Sequence, residues 1–191
     1  MAGKSTFEAY LEKAFNVTLS PGNSTAKAMS MRNSLRFYYA IMVIPLILGV
    51  LISPPLGGPA AAGMLALSLI VIVPVSLFVN SFVYHIIVGR LFNLYRSDYW
   101  KVFSAFTYGV VPVVLVYWLI GIPILGLVIV GLSAIWGYIV QIIALSNILR
   151  MTRLRAFVTT LLSGVVVAIV IGLASLITAV GVFAGMHILG V

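Results

Sequence analysis

The sequence has no cysteine, three acidic residues and two histidines. Without cysteine there is no disulfide, no thiolate metal site and no cysteine nucleophile. The acids are Glu8, Glu12 and Asp98, so only one lies beyond residue 12, and no carboxylate pair is placed for general acid–base work. No HExxH motif occurs and no apolar run contains an Asp, which argues against zinc and intramembrane aspartyl proteases. A proton- or sodium-coupled transporter usually buries an acid at mid-membrane, and none is there. His85 and His187 fall on opposite sides of the membrane in the topology derived below, which argues against a two-histidine metal site. The expectation is a protein without catalytic residues, metal or cofactor.

Charge of either sign is also scarce. Charged residues make up 7% of the 191 positions and hydrophobic ones 63%, whereas a soluble domain carries about 25% charged residues. A water-facing surface cannot be built from this, and one membrane domain is the natural count. The first apolar run begins near Phe37, behind a longer polar lead than a cleavable signal peptide has.

What is present is a series of long apolar runs. From Val102 to Leu149 there is no Asp, Glu, Lys, Arg or His, and Gly121-Ile122-Pro123 interrupts the middle. As one helix this run would reach about 70 Å, twice a hydrocarbon core of about 30 Å. It reads as two antiparallel spans joined at Gly121–Pro123. Phe37–Ile52 forms a first span and Ala62–Gly89 a second, separated by the uncharged Ser53–Pro59, whose prolines are expected to stop both helices. A fifth apolar stretch runs from Ala156 to the end.

Five crossings place residues 1–36, Arg90–Lys101 and Arg150–Arg155 on one side, and all eleven Lys and Arg lie there. By the positive-inside rule the N-terminus is cytoplasmic and the C-terminus outside. The expected fold is all-α: a cytoplasmic segment over residues 1–36 and a five-helix transmembrane domain over 37–191. This is a multi-pass membrane protein, of the cell membrane if the source is prokaryotic.

The cytoplasmic segment opens on Ser5-Thr6-Phe7-Glu8, which fits a capping box. Over Ser5–Asn16, Phe7, Tyr10, Leu11, Ala14 and Phe15 form one face, with Glu8, Glu12 and Lys13 on the other. Such a helix lies on the membrane, plugs the mouth of the bundle, or packs on the protein's own loops. Arg90, Arg96, Lys101, Arg150, Arg153 and Arg155 are candidates for contact with a partner or with anionic inner-leaflet headgroups. In the fifth span Gly164, Ala168 and Gly172 recur at the spacing that lets another helix approach, either within the bundle or in a homo-oligomer.

Polar residues in lipid are functional candidates because they cost free energy. Counting helical rise from the basic loops puts His85 about 7 Å, Tyr108 about 10 Å, Gln141 about 13 Å and Asn80 about 15 Å below the rim. With Tyr84, these residues form a candidate polar crevice between spans two, three and four, open to the cytoplasm. The alternative is that they hydrogen-bond between helices as glue.

Tyr84-His85, the Arg90–Lys101 loop, Phe103-Ser104-Ala105-Phe106-Thr107-Tyr108 leading to Pro112, Gly121-Ile122-Pro123, Trp136 and Arg150–Ala156 together resemble the Yip domain family, multi-spanning proteins named for interaction with Ypt/Rab GTPases. The resemblance runs from about Leu35 to Ile171, and in its compactness the chain is similar to the prokaryotic members. It implies a non-catalytic, all-helical protein acting in trafficking or membrane shaping, often as an oligomer. The chain lacks a long N-terminal cytosolic region and a Tyr-Gly-Pro motif before the first span, which argues against a Rab-type partner. Two readings result: a non-enzymatic membrane organiser that binds lipid or a partner, and a channel, lipid scramblase or uncoupled carrier that uses the crevice.

Overall fold

The computed structural model describes residues 5–91, 99–122 and 124–169, side chains at 53–59 and 88–91 excepted. The described residues contain helices and turns with no strand. In order they are α1 (Thr6–Leu19), the single turn α2 (Pro21–Ser24), α3 (Met31–Leu67), α4 (Val73–Leu91), α5 (Tyr99–Val116), α6 (Leu125–Leu149) and α7 over residues 153–169. A π-helical turn, Ser68–Ile72, joins α3 to α4, and a 3₁₀ turn, Tyr117–Gly121, follows α5.

Four stretches are long and apolar enough to cross a membrane: Met31–Ile52, Ala60–Ile87, Tyr99–Gly121 and Leu125–Leu149. The fold is therefore that of an integral, multi-pass helical membrane protein. The expected fifth span begins as α7. Its remainder, with Gly172 and His187, lies outside the described residues, as does most of the loop carrying Arg96.

One expectation is corrected at Ser53–Pro59. The backbone stays helical through these residues instead of ending on either side. The chain still reverses: a Cβ built on Gly49 would sit 2.7 Å from both Leu65 methyl carbons, although a straight helix would separate the two residues by about 24 Å. Proline's fixed φ suits a helix, while its ring's clash with the carbonyl four residues back and its missing donor bend one, so the reversal takes place within helical backbone.

A missing donor also marks the π-helical turn. The Val73 N–H bonds to the Ser68 carbonyl in π register, which leaves the Leu69 carbonyl without its α-helical donor. The donor next in line would be residue 74, a proline. Tyr38, fully buried on the facing segment, donates its hydroxyl to that carbonyl. In lipid no water could do so.

α5 is the central helix. Over Tyr99–Gly121 56% of the hydrophobic window is buried, against 17–33% in the other three spans. It pairs most closely with α6, where Gly109 and Gly137 bring the two backbones together: a Cβ on Gly109 would lie 2.6 Å from Gln141 Cβ and 3.1 Å from the Gly137 carbonyl oxygen. Small residues take this role in membranes because van der Waals contact, rather than water exclusion, holds helices together. The hairpin turn is tight for a similar reason, since a Cβ on Gly126 would collide with the Leu119 carbonyl. α6 ends on Arg150 in left-handed conformation (φ 52°), where the Met151 N–H bonds back to the Ser146 carbonyl.

The N-terminal segment packs into the bundle, with α1 against α3, α5 and α6. The capping box forms: the Glu8 N–H donates to Ser5 Oγ at 3.2 Å and the Ser5 N–H to Glu8 Oε2 at 2.8 Å. The buried face is not the one the apolar spacing indicates. Ala14 and Val17 are fully buried and Tyr10 packs beside them, while Phe7 and Phe15 point away. Lys13 is half-buried, its Nζ 5.1 Å from the Tyr108 ring centroid and 5.6 Å from that of Phe37, instead of lying on the solvent side. Burial pulls the Lys13 pKa down, while the ring faces attract the charged form.

Candidate functional site

On the side of α5 away from α1, helices α4, α5, α6 and α7 enclose a cleft of about 370 Å³. Ser76 and Asn80 line it from α4, Phe106 and Gly109 from α5, Tyr138 and Gln141 from α6, and Thr160 and Ser163 from α7. Spacings of three and four residues place each pair on one helix face. Gly109 contributes by having no side chain, which lets the Gln141 stem cross over α5.

Three of these polar side chains are satisfied within their own helices. Asn80 Nδ2 donates to the Ser76 carbonyl at 2.8 Å, Thr160 Oγ1 to Ala156 at 2.6 Å and Ser163 Oγ to Thr160 at 2.9 Å. Three are not. The Tyr138 hydroxyl is buried with no hydrogen-bond partner, and the exposed Ser76 hydroxyl and the Gln141 carboxamide make none among the described residues.

Toward the basic loops the cleft is closed. Tyr84 and Thr159, each one turn nearer those loops than Asn80 and Ser163, share a hydrogen bond of 2.8 Å between hydroxyl and Oγ1, which ties α4 to α7. The Tyr84 ring is fully buried and meets Phe106 edge-on at 5.5 Å, with Met151 Sδ 4.0 Å from its hydroxyl. The mouth lies at mid-span, where the lining residues Ser76, Ala134 and Gly164 are exposed. The expected cytoplasm-open crevice is thus a cleft open sideways.

The five residues expected to form that crevice separate into three places. Asn80 and Gln141 line the cleft, and Tyr84 is part of its closure. Tyr108 lies on the opposite side of α5, where its hydroxyl donates to the Lys27 carbonyl at 3.0 Å. His85 is half-buried against Tyr99, ring centroids 5.9 Å apart, with Nδ1 unpartnered. Arg150, Arg153 and Arg155 are exposed and Lys101 is half-buried. The Arg90 and Arg96 side chains lie outside the described residues. Thr159, Thr160 and Ser163 went unnoticed in the sequence, although their close spacing at the start of an apolar run was a visible signal.

The N-terminal segment is fastened to the other side of the α5–α6 hairpin. The Met29 N–H donates to Ser104 Oγ at 2.8 Å, Trp136 Nε1 to the Thr18 carbonyl at 2.8 Å and Asn147 Nδ2 to the Gly22 carbonyl at 2.9 Å.

Compared with known proteins, the chain matches no family model, no curated protein and no solved structure.

The cleft combines apolar walls with a few polar side chains. Among the described residues no charged side chain lines it and no three His, Asp or Glu side chains gather. Its volume is at the small end of ligand pockets, which run from about 300 to 1,000 Å³.

Proposed function

We propose that the protein is a non-enzymatic membrane organiser of Yip-like type that acts by binding lipid in the cleft. The observation that carries this reading is the Gln141 carboxamide, unpartnered at membrane depth in an uncharged cleft with a lateral mouth. In hydrocarbon such a group is costly, and a lipid's carbonyl or hydroxyl would satisfy it while the acyl chain lies along Phe106 and Leu77. Five spans with the N-terminus and all basic loops cytoplasmic complete the reading, supported by the one-sided distribution of Lys and Arg. Exposed Arg150, Arg153 and Arg155 then face anionic headgroups, and the last span remains the candidate homo-oligomer contact.

The test is reconstitution of the full-length protein into vesicles, with co-purifying lipid counted per protein. Gln141→Leu is expected to lose retained lipid while the protein stays folded, and wild type to change vesicle shape. Unaltered lipid retention in Gln141→Leu, or vesicles of the same shape with and without protein, overturns the proposal.

The second reading, a scramblase or uncoupled carrier, is favoured by one observation: Ser76, Asn80, Tyr138 and Gln141 make a polar strip in a groove open to lipid. The Tyr84–Thr159 bond at its inner end opposes passage. Lipid flipping or solute leak that Gln141→Leu abolishes would select this reading over the first.

A further inference from the structure

α1 has three sides, and the bundle covers only one. Tyr10, Ala14 and Val17 face the bundle. A second side, with Ala9, Glu12 and Asn16, opens a pocket of about 280 Å³ that also includes Lys13 and Ser24. The third is an apolar stripe at four-residue spacing, Phe7, Leu11, Phe15 and Leu19. Phe7 is 40%, Phe15 56% and Leu19 75% exposed, and Leu11 between them is half-buried.

Two hydrogen bonds show how this helix is turned relative to the spans. Asn147, next to the basic Arg150 end of α6, holds Gly22. Trp136, in the middle of the same span, holds Thr18. The two anchors are 11 residues apart, about 16 Å along the helix. Thr18 ends α1 on the stripe side, seven residues beyond Leu11, so the stripe faces the middle of the span. The pocket side contains Ser24, next to the anchor at the basic end. At the depth of a mid-span residue, an uncovered apolar flank meets hydrocarbon.

We propose that α1 is embedded in the leaflet on the side of the basic loops, with Phe7, Leu11, Phe15 and Leu19 packed on lipid acyl chains and Glu12 and Asn16 in water. The occupant of the stripe is the bilayer itself. α1 then widens the molecule in one leaflet and not in the other, so each copy is a wedge, which is a physical means of bending a membrane. This placement does not depend on lipid being held in the cleft.

The absence of native cysteine makes the test clean. Single cysteines at Phe15→Cys and Leu19→Cys, and separately at Ala9→Cys and Asn16→Cys, carry a small fluorophore in the full-length protein in phosphatidylcholine–phosphatidylglycerol vesicles. All four positions are exposed, so the labels leave the packing intact. The expected result is quenching by acyl-chain nitroxide and loss of iodide quenching at 15 and 19, with the reverse at 9 and 16. Equal iodide quenching at all four sites overturns the proposal by placing the stripe in water. Neither quencher acting at 15 and 19 overturns it by placing a protein there, a second copy included. Either failure leaves the lipid count at Gln141 unaffected, so the two proposals fail separately.

Discussion

The crossing of α5 and α6 at Gly109 and Gly137 leads to a prediction whose sign is decided by geometry. A Cβ on Gly109 would stand 2.6 Å from Gln141 Cβ, 3.1 Å from the Gly137 carbonyl oxygen and 3.3 Å from Gln141 Cα. Carbon atoms rest about 3.5–4.0 Å apart. In Gly109→Ala the two helices must therefore part by about 1 Å, since two of the three obstacles are backbone atoms that cannot rotate away. Overpacking of this kind costs about 1–3 kcal/mol, and alanine's better helix propensity returns about 0.5–1 kcal/mol. The net is a loss of up to about 2.5 kcal/mol, about 1 kcal/mol at mid-range. Gly131, earlier on α6, supplies the control, because a Cβ there meets nothing within 4 Å. Gly131→Ala is expected to gain about 0.5–1 kcal/mol from propensity alone. The assay is reversible unfolding in mixed micelles followed by far-ultraviolet circular dichroism. Alanines that shift stability in the same direction by the same amount refute the reasoning, because propensity would then explain both. Gly109→Ala should also lose retained lipid by displacing Gln141, whereas Gln141→Leu loses lipid without the loss of stability.

Three further outcomes are expected. Tyr38→Phe leaves the Leu69 carbonyl without a donor in lipid and costs about 1–3 kcal/mol, read as a lowered unfolding midpoint. Trp136→Phe removes the donor to Thr18 at a cost of about 1 kcal/mol, and is expected to expose residues 1–30 to added protease while the spans remain resistant. Burial holds the Lys13 pKa below its ordinary 10.5, so the docked segment gives up its proton before a released one does. Docking therefore strengthens as pH rises through the lowered pKa toward 10.5. Lys13→Met removes that slope, and a flat wild-type profile in protease protection would mean that ring attraction cancels burial.

The spans were legible because lipid demands about 20 apolar residues at a time, and the runs before Ile52, before Ile87 and around Gly121 meet that demand plainly. The capping box at Ser5 was legible for a local reason, since it needs only residues three apart. Which way a residue points inside the bundle was not. Tyr108 sits on a stretch of α5 buried on all sides from Val102 to Gly109, so no periodicity marks the cleft side from the α1 side. The apolar face of α1 failed similarly. Bundle and bilayer are both apolar, and hydrophobicity alone cannot tell the Tyr10–Ala14–Val17 face from the Phe7–Phe15 stripe. Tyr38 was missed as part of an apolar run. The clue lay in Pro74, whose missing N–H requires a donor from elsewhere.

The bonds that fasten the N-terminal segment bear on the order of events during synthesis. Trp136 follows Thr18 by 118 residues and Asn147 follows Gly22 by 125. At about 5–20 residues per second, some 6–25 seconds pass between making α1 and making its anchors. For that interval α1 lacks the α6 part of the packing it makes with α3, α5 and α6, and the membrane surface at the ribosome is a nearby apolar phase. α1 is thus made well before the anchors on α6 that complete its docking. A chain arrested just before Trp136 should hold α1 at the bilayer yet leave it removable by protease.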